Sequence, residues 1–127
     1  MTEGTKYDGG KPPMGLLPRH SLEQVAEVLA FGAQRYGAHN WRKGIEVQRQ
    51  INASLRHIFK ANEGEDTDPD SGLPHLAHAI CDLMFALNTI HDRPEMDDRY
   101  KPEPRKSKLP DLYKIMSPHS PLPPPSL

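Results

Sequence analysis

Two histidines and an aspartate stand in the stretch SGLPHLAHAICDLMF, Ser71 to Phe85, which is otherwise largely apolar. Imidazole nitrogen and carboxylate oxygen both bind divalent metals. At about 100° per residue of helix, His75, His78 and Asp82 fall within an arc of roughly 60°. Leu76, Ala77, Ile80, Leu83, Met84 and Leu87 centre on nearly the opposite side. The polar residues therefore form one stripe, which faces either water or a polar cavity. Just upstream lie Glu63, Glu65, Asp66, Asp68 and Asp70, and His57 precedes them by one or two helical turns. A short connection between the two helices requires antiparallel packing. That packing gathers the acids, His57, His75 and His78 at one end of a bundle. Carboxylate-rich sites select hard cations such as Mg2+ or Mn2+, and imidazole tilts the choice toward Mn2+. The competing reading of the acidic run is a solvated loop that caps the next helix.

A basic set balances the acidic one. Lys6, Lys11, Arg35, Arg42, Lys43, Arg49, Arg56 and Lys60 all precede the acidic loop. Lys and Arg clamp phosphates, and metal ions bridge them. Acids that hold a metal beside cations that hold phosphate suit a phosphate-ester or anhydride substrate. Arg56 is the best placed of the cations, because it directly precedes His57. The segment RYGAHNWRKG offers a ring-recognition site: Trp41 can stack on a base and Asn40 can pair with its edge. Alternatively Trp41 plugs the core from a loop. The KYDGGKPP loop offers backbone N–H groups and Lys11 to phosphate, or is a plain turn.

Three helices must position these groups. The first is expected to begin near Ser21, where Ser21 and Gln24 make a capping-box pattern. Its core face is Leu22, Val25, Ala26, Leu29, Ala30 and Ala33, and Gly37 stops it. The second runs from about Val47 to Asn62, with Val47, Ile51, Leu55, Ile58 and Phe59 as its apolar stripe. Pro74 fits the first turn of the third, whose apolar face is the one given above and which fades near Asp92. Leu16 and Leu17 are candidates to anchor the Gly- and Pro-rich first 20 residues. Beyond Arg93 the prolines crowd, so residues 1–93 read as the helical domain and 94–127 as an extended or partly disordered Pro-rich tail. Within that tail, Asp111 to Met116 reads as one short helical turn that docks on a neighbour.

The chain has 127 residues, 35% of them hydrophobic, and a formal net charge of -1. Its mean hydropathy is -0.72. That length suits one domain, and the charge supplies no global field for holding nucleic acid directly. The single cysteine, Cys81, suits a reducing cytoplasm. No signal peptide or membrane span is expected. Three helices of this size bury little surface, so a second copy is expected to complete the bundle, as a homodimer or homotetramer.

Four blocks, KYDGGKPPMGLLP, FGAQRYGAHNWRKG, LRHIFKANEGED and DSGLPHLAHAICDLMF, together resemble the phage-encoded dATP/dGTP diphosphohydrolase family, over about residues 6 to 91. That family is related to the MazG-like all-α nucleoside triphosphate pyrophosphohydrolases. The resemblance implies an all-α, metal-dependent enzyme that splits a purine deoxynucleoside triphosphate between the α and β phosphates. The products are the monophosphate and pyrophosphate, and the role is phage nucleotide-pool remodelling in the host cytoplasm. The stretch AICDLMFAL resembles the ELGDLLFAL of MazG-like enzymes, so Asp82 matches their motif Asp. Ala79 replaces the motif Glu, and the E-E-x-x-E motif is absent in plain form. Glu23 and Glu27 are its displaced equivalent or, more simply, a solvated face.

On this reading His57, Glu65, Asp68, His75, His78 and Asp82 are the metal ligands or their immediate supports, for Mg2+ or Mn2+. Glu63 or Glu65 is the general base, and Arg56, Lys60 and Lys11 offset phosphate charge. Asn40, Trp41 and Arg42 contact the substrate. Two other readings compete. An HD-type triphosphohydrolase would use His91-Asp92 with His57 and a late Asp111. A non-catalytic nucleotide- or metal-binding helical module would bind without turnover.

Overall fold

The computed structural model describes residues 3–103. The expected docking turn Asp111 to Met116 and the final proline run lie outside the described residues. The described chain is all-α: α1 spans Arg19–Tyr36, α2 Val47–Asn62 and α3 His75–Asp92. Short 3-10 turns occupy Met14–Leu16, Asn40–Lys43 and Pro94–Met96. No strand occurs among the described residues; Thr67 and Pro74 form one isolated bridge in the loop before α3.

The helix ends follow from local chemistry. α1 begins two residues earlier than Ser21, because the extended Pro18 presents its carbonyl to the N–H of Leu22 at 3.2 Å. The Ser21–Gln24 pair thus lies inside the helix and caps nothing. Gly37 ends α1 as expected. α2 has the expected limits, but its first turn is capped from far away: Asp98 Oδ1 accepts the N–H of Gln48 at 2.8 Å. Its last turn closes in a Schellman motif. The N–H of Glu65 bonds Lys60 O at 3.0 Å, that of Gly64 bonds Ala61 O at 3.1 Å, and Gly64 sits at φ 100°. Pro74 stands immediately before α3 rather than within it.

α2 and α3 pack antiparallel, as the pairing of Gln50 with Thr89, Ser54 with Ala79 and His57 with His75 requires. The fully buried Ser54 donates to the Ala79 carbonyl at 3.0 Å. Small side chains let the axes approach here. α1 crosses α3 through Val25, Val28, Ala77 and Cys81, with Leu73 and Phe85 packed beside them.

Of the apolar face expected for α3 only Ala77 turns inward; its large residues face out. Ala77, Ala79, Cys81 and Ala86 are buried with His75 and Thr89, whereas Leu76, Ile80, Leu83, Met84 and Leu87 are exposed, Leu87 by 70%. On α2 the buried side is Val47, Gln50 and Ser54, while Leu55, Ile58 and Phe59 face outward. On α1, Leu22 and Leu29 are exposed, as are Ala26 and Ala30. Periodicity locates an apolar stripe but not which of two sides is the interior of a single chain. Here the small-residue side packs within the chain and the large-residue side is left outside. Leu16 and Leu17 do not anchor the N-terminal segment; both are exposed. After α3 the chain turns back at Pro94–Met96, and Asp97 is held by Arg99 and Lys101. No helix among the described residues is long and apolar enough to cross a membrane.

Candidate active site

The acidic loop is a hydrogen-bonded structure, not a solvated string. Asp68 N–H bonds Leu73 O at 2.9 Å, Gly72 N–H bonds Asp68 O at 2.8 Å, and His75 N–H bonds Asp66 O at 2.8 Å. These bonds fix the Asp68 side chain. Its Oδ1 accepts the N–H of Asp70 at 2.8 Å, while its Oδ2 lies 3.8 Å from His78 Nε2. The loop is also tied to the end of α1, where Arg35 makes a two-pronged ion pair with Asp70 at 2.9 and 3.2 Å. Arg35 in turn lies 5.1 Å over the Phe31 ring, and Phe31 meets His78 edge-on.

His57 from α2, Asp68 from the loop and His78 from α3 converge: one donor atom from each lies within 4.8 Å of the others. Donors about 2.1 Å from an octahedral ion are about 3.0 to 4.2 Å apart. The set therefore fits a divalent cation after a small inward adjustment. The two imidazole rings stack at 4.6 Å with an interplanar angle of 11°. Burial, foremost, pulls the pKa of His57 below its ordinary value, and the neighbouring His78 adds to this. His78 is lowered by burial too, against the opposing pull of Asp68. Both shifts favour the neutral ring, which keeps one nitrogen lone pair free, as a metal ligand requires. Ser71 Oγ sits 2.7 Å from His78 Nε2.

The cluster lies on the wall of a cleft of about 1180 Å³. This exceeds the usual range for small-molecule sites, about 300–1,000 Å³. Arg35, Arg42, Arg49 and Arg56 line the same cleft. So does Asp82, one helical turn beyond His78. Burial raises its carboxyl to about 6, with Arg56 pulling the other way. At the other end Trp41 stacks on Phe85 at 4.5 Å, and the Arg42 guanidinium lies 4.4 Å over the indole. Gln50, nearly fully buried, lines the cleft with its Oε1 unpartnered.

Of the residues singled out in the sequence, Asn40, Trp41, Arg42, Arg56, His57, Asp68, His78 and Asp82 share this cleft. Lys11, Lys60 and Glu63 are exposed and do not line it. Glu65 and His75 sit behind the cluster, joined to each other at 2.9 Å. Glu23 is exposed and pairs with Arg19. His91 and Asp92 are exposed, hydrogen-bonded to each other, and outside the cleft that holds His57. Gln50 and Ser71 carried no sequence signal, since a lone amide or hydroxyl has no characteristic spacing.

The helical chain thus sets a His–Asp–His cluster able to hold a divalent cation in a cleft lined by arginines able to pair with phosphate. The family described as dATP/dGTP diphosphohydrolase, N-terminal, matches residues 1–99, and the chain belongs to that family. It is similar to a dATP/dGTP diphosphohydrolase of Salmonella phage PMBT28, 42% identical over 96 residues. The match takes in 76% of this chain and 33% of the phage protein, so the chain spans about a third of that relative's length. No solved structure matches.

Proposed function

We propose that this chain carries the site of a metal-dependent hydrolysis of purine deoxynucleoside triphosphates, dGTP or dATP, to the monophosphate and pyrophosphate. The observation that carries the reading is the convergence of His57, Asp68 and His78 in a cleft lined by four arginines. The name of the phage relative supports the substrate class. His57, Asp68 and His78 would hold Mg2+ or Mn2+. Bound there, the ion supplies Lewis-acid stabilisation of the phosphoryl group and an acidified water.

The chain's own residues do the rest. Asp82, ionised above about pH 6, takes the proton from the attacking water. Arg56, Arg49 and Arg42 offset the phosphate charge as the pyrophosphate leaves. Gln50 and Asn40 offer hydrogen bonds to the base edge, and Trp41, packed with Phe85 and Arg42, forms part of the cleft wall. Such a chain works on free nucleotides in the cytoplasm, the host's where a phage carries it.

The test incubates the purified chain with Mn2+ or Mg2+ and each dNTP, and separates the products by ion exchange. Monophosphate plus pyrophosphate from dGTP or dATP, abolished by EDTA, is the expected result. Nucleoside plus tripolyphosphate would transfer the assignment to a triphosphohydrolase. No turnover by folded, metal-loaded protein would leave a binding module.

A further inference from the structure

We propose that Glu65 and His75 are positioning residues that fix the tautomer of His57, so that its Nε2 is left unprotonated for the metal site it forms with Asp68 and His78. The inference rests on the metal-site reading above and deepens it. His57 Nδ1 lies 2.9 Å from His75 Nδ1. Two ring nitrogens at that distance share one proton: one donates and the other accepts. The other nitrogen of His75, Nε2, lies 2.9 Å from Glu65 Oε2. An ionised carboxylate only accepts. His75 Nε2 therefore carries the hydrogen.

With one proton on each ring, His75 Nδ1 is then bare and must accept from His57 Nδ1–H. That leaves His57 Nε2 unprotonated. It is also the one nitrogen of His57 not already engaged by His75. His75 is only 4% exposed, so bulk water does not stand in for Glu65. A carboxylate that orients a metal-binding histidine is a common support; here the same direction of donation passes through one additional ring.

The backbone sets both members of this chain. The Schellman turn at the end of α2 places Glu65, and the bond from His75 N–H to Asp66 O at 2.8 Å places the start of α3. The other histidine of the cluster has no such control. His78 meets the Ser71 hydroxyl, which can donate or accept, so its tautomer stays free to adapt.

Long-range proton–nitrogen NMR of the metal-free chain at pH 8 reads the tautomers directly. His57 is expected as the Nδ1–H form and His75 as the Nε2–H form. In Glu65→Ala both rings should become mixtures, and Mn2+ affinity, followed by electron paramagnetic resonance, should fall about 10- to 100-fold. Glu65 is half-exposed and its loss leaves the core intact. A His57 Nε2–H form in the wild-type chain overturns the proposal. So does a Glu65→Ala chain with altered tautomers but undiminished Mn2+ affinity, or with neither changed. Absence of Mn2+ binding by the wild-type chain, with the Nδ1–H form present, overturns the metal reading instead and removes the purpose assigned to these two residues.

Discussion

Asp82 is the residue on which chemistry and stability pull in opposite directions. Burial lifts its carboxyl from 3.8 to about 6. The native state thus holds this proton more tightly than the unfolded chain does. Between those two values stability falls as pH rises, and the cost of the buried charge is fully present above about pH 6. Asp82→Asn should therefore melt higher than the wild type at pH 8, with the gap closing toward pH 4, in paired thermal scans. The same substitution should lower hydrolysis by at least about 100-fold if the carboxylate is the base. Wild-type turnover should climb as pH rises through about 6. An Asp82→Asn chain with near-normal turnover would take Asp82 out of the reaction. At this scale the sequence was informative about residue type: of the arc on α3, His78 and Asp82 line the polar cleft, while His75 is buried behind it against Glu65. It was silent on partners, because the Glu65–His75–His57 contacts depend on how the loop folds.

At the level of elements, the turn after α2 matters more than its acidity suggests. Gly64 adopts φ 100°, which a side chain opposes, and the next residue is Glu65. Gly64→Ala should cost about 1 kcal/mol or more, a fall in melting temperature of roughly 4–8 °C for a domain of this size. It should also weaken Mn2+ binding, because Glu65 shifts with the turn. A drop in melting temperature with unaltered Mn2+ affinity would separate the turn from the site. The limits of α2 and the stop of α1 at Gly37 were legible, since both follow from local propensities. The start of α1 was not, because the Pro18 carbonyl replaced the expected serine cap. The orientation of α3 was not legible either. Its small residues and its large ones each form a coherent side, and only packing against α1 and α2 chooses between them.

For the whole molecule, the outward leucines are the outstanding fact. Leu76, Leu83 and Leu87 on α3 and Phe59 on α2 are all more than two-fifths exposed. A face of this kind is rarely left to water. We expect a second copy to cover it, making a homodimer or homotetramer, and Leu83→Glu to shift the population to monomer by light scattering. A wild-type chain that runs as a monomer at micromolar concentration would refute this. The cap on α2 adds one more consequence. Asp98 closes the start of a helix 50 residues earlier in the chain. During synthesis from the N-terminus, α2 leaves the ribosome with its first amides bare and can acquire this capping bond only after Asp98 follows. The start of α2 is thus left without this cap until the chain beyond α3 has been made.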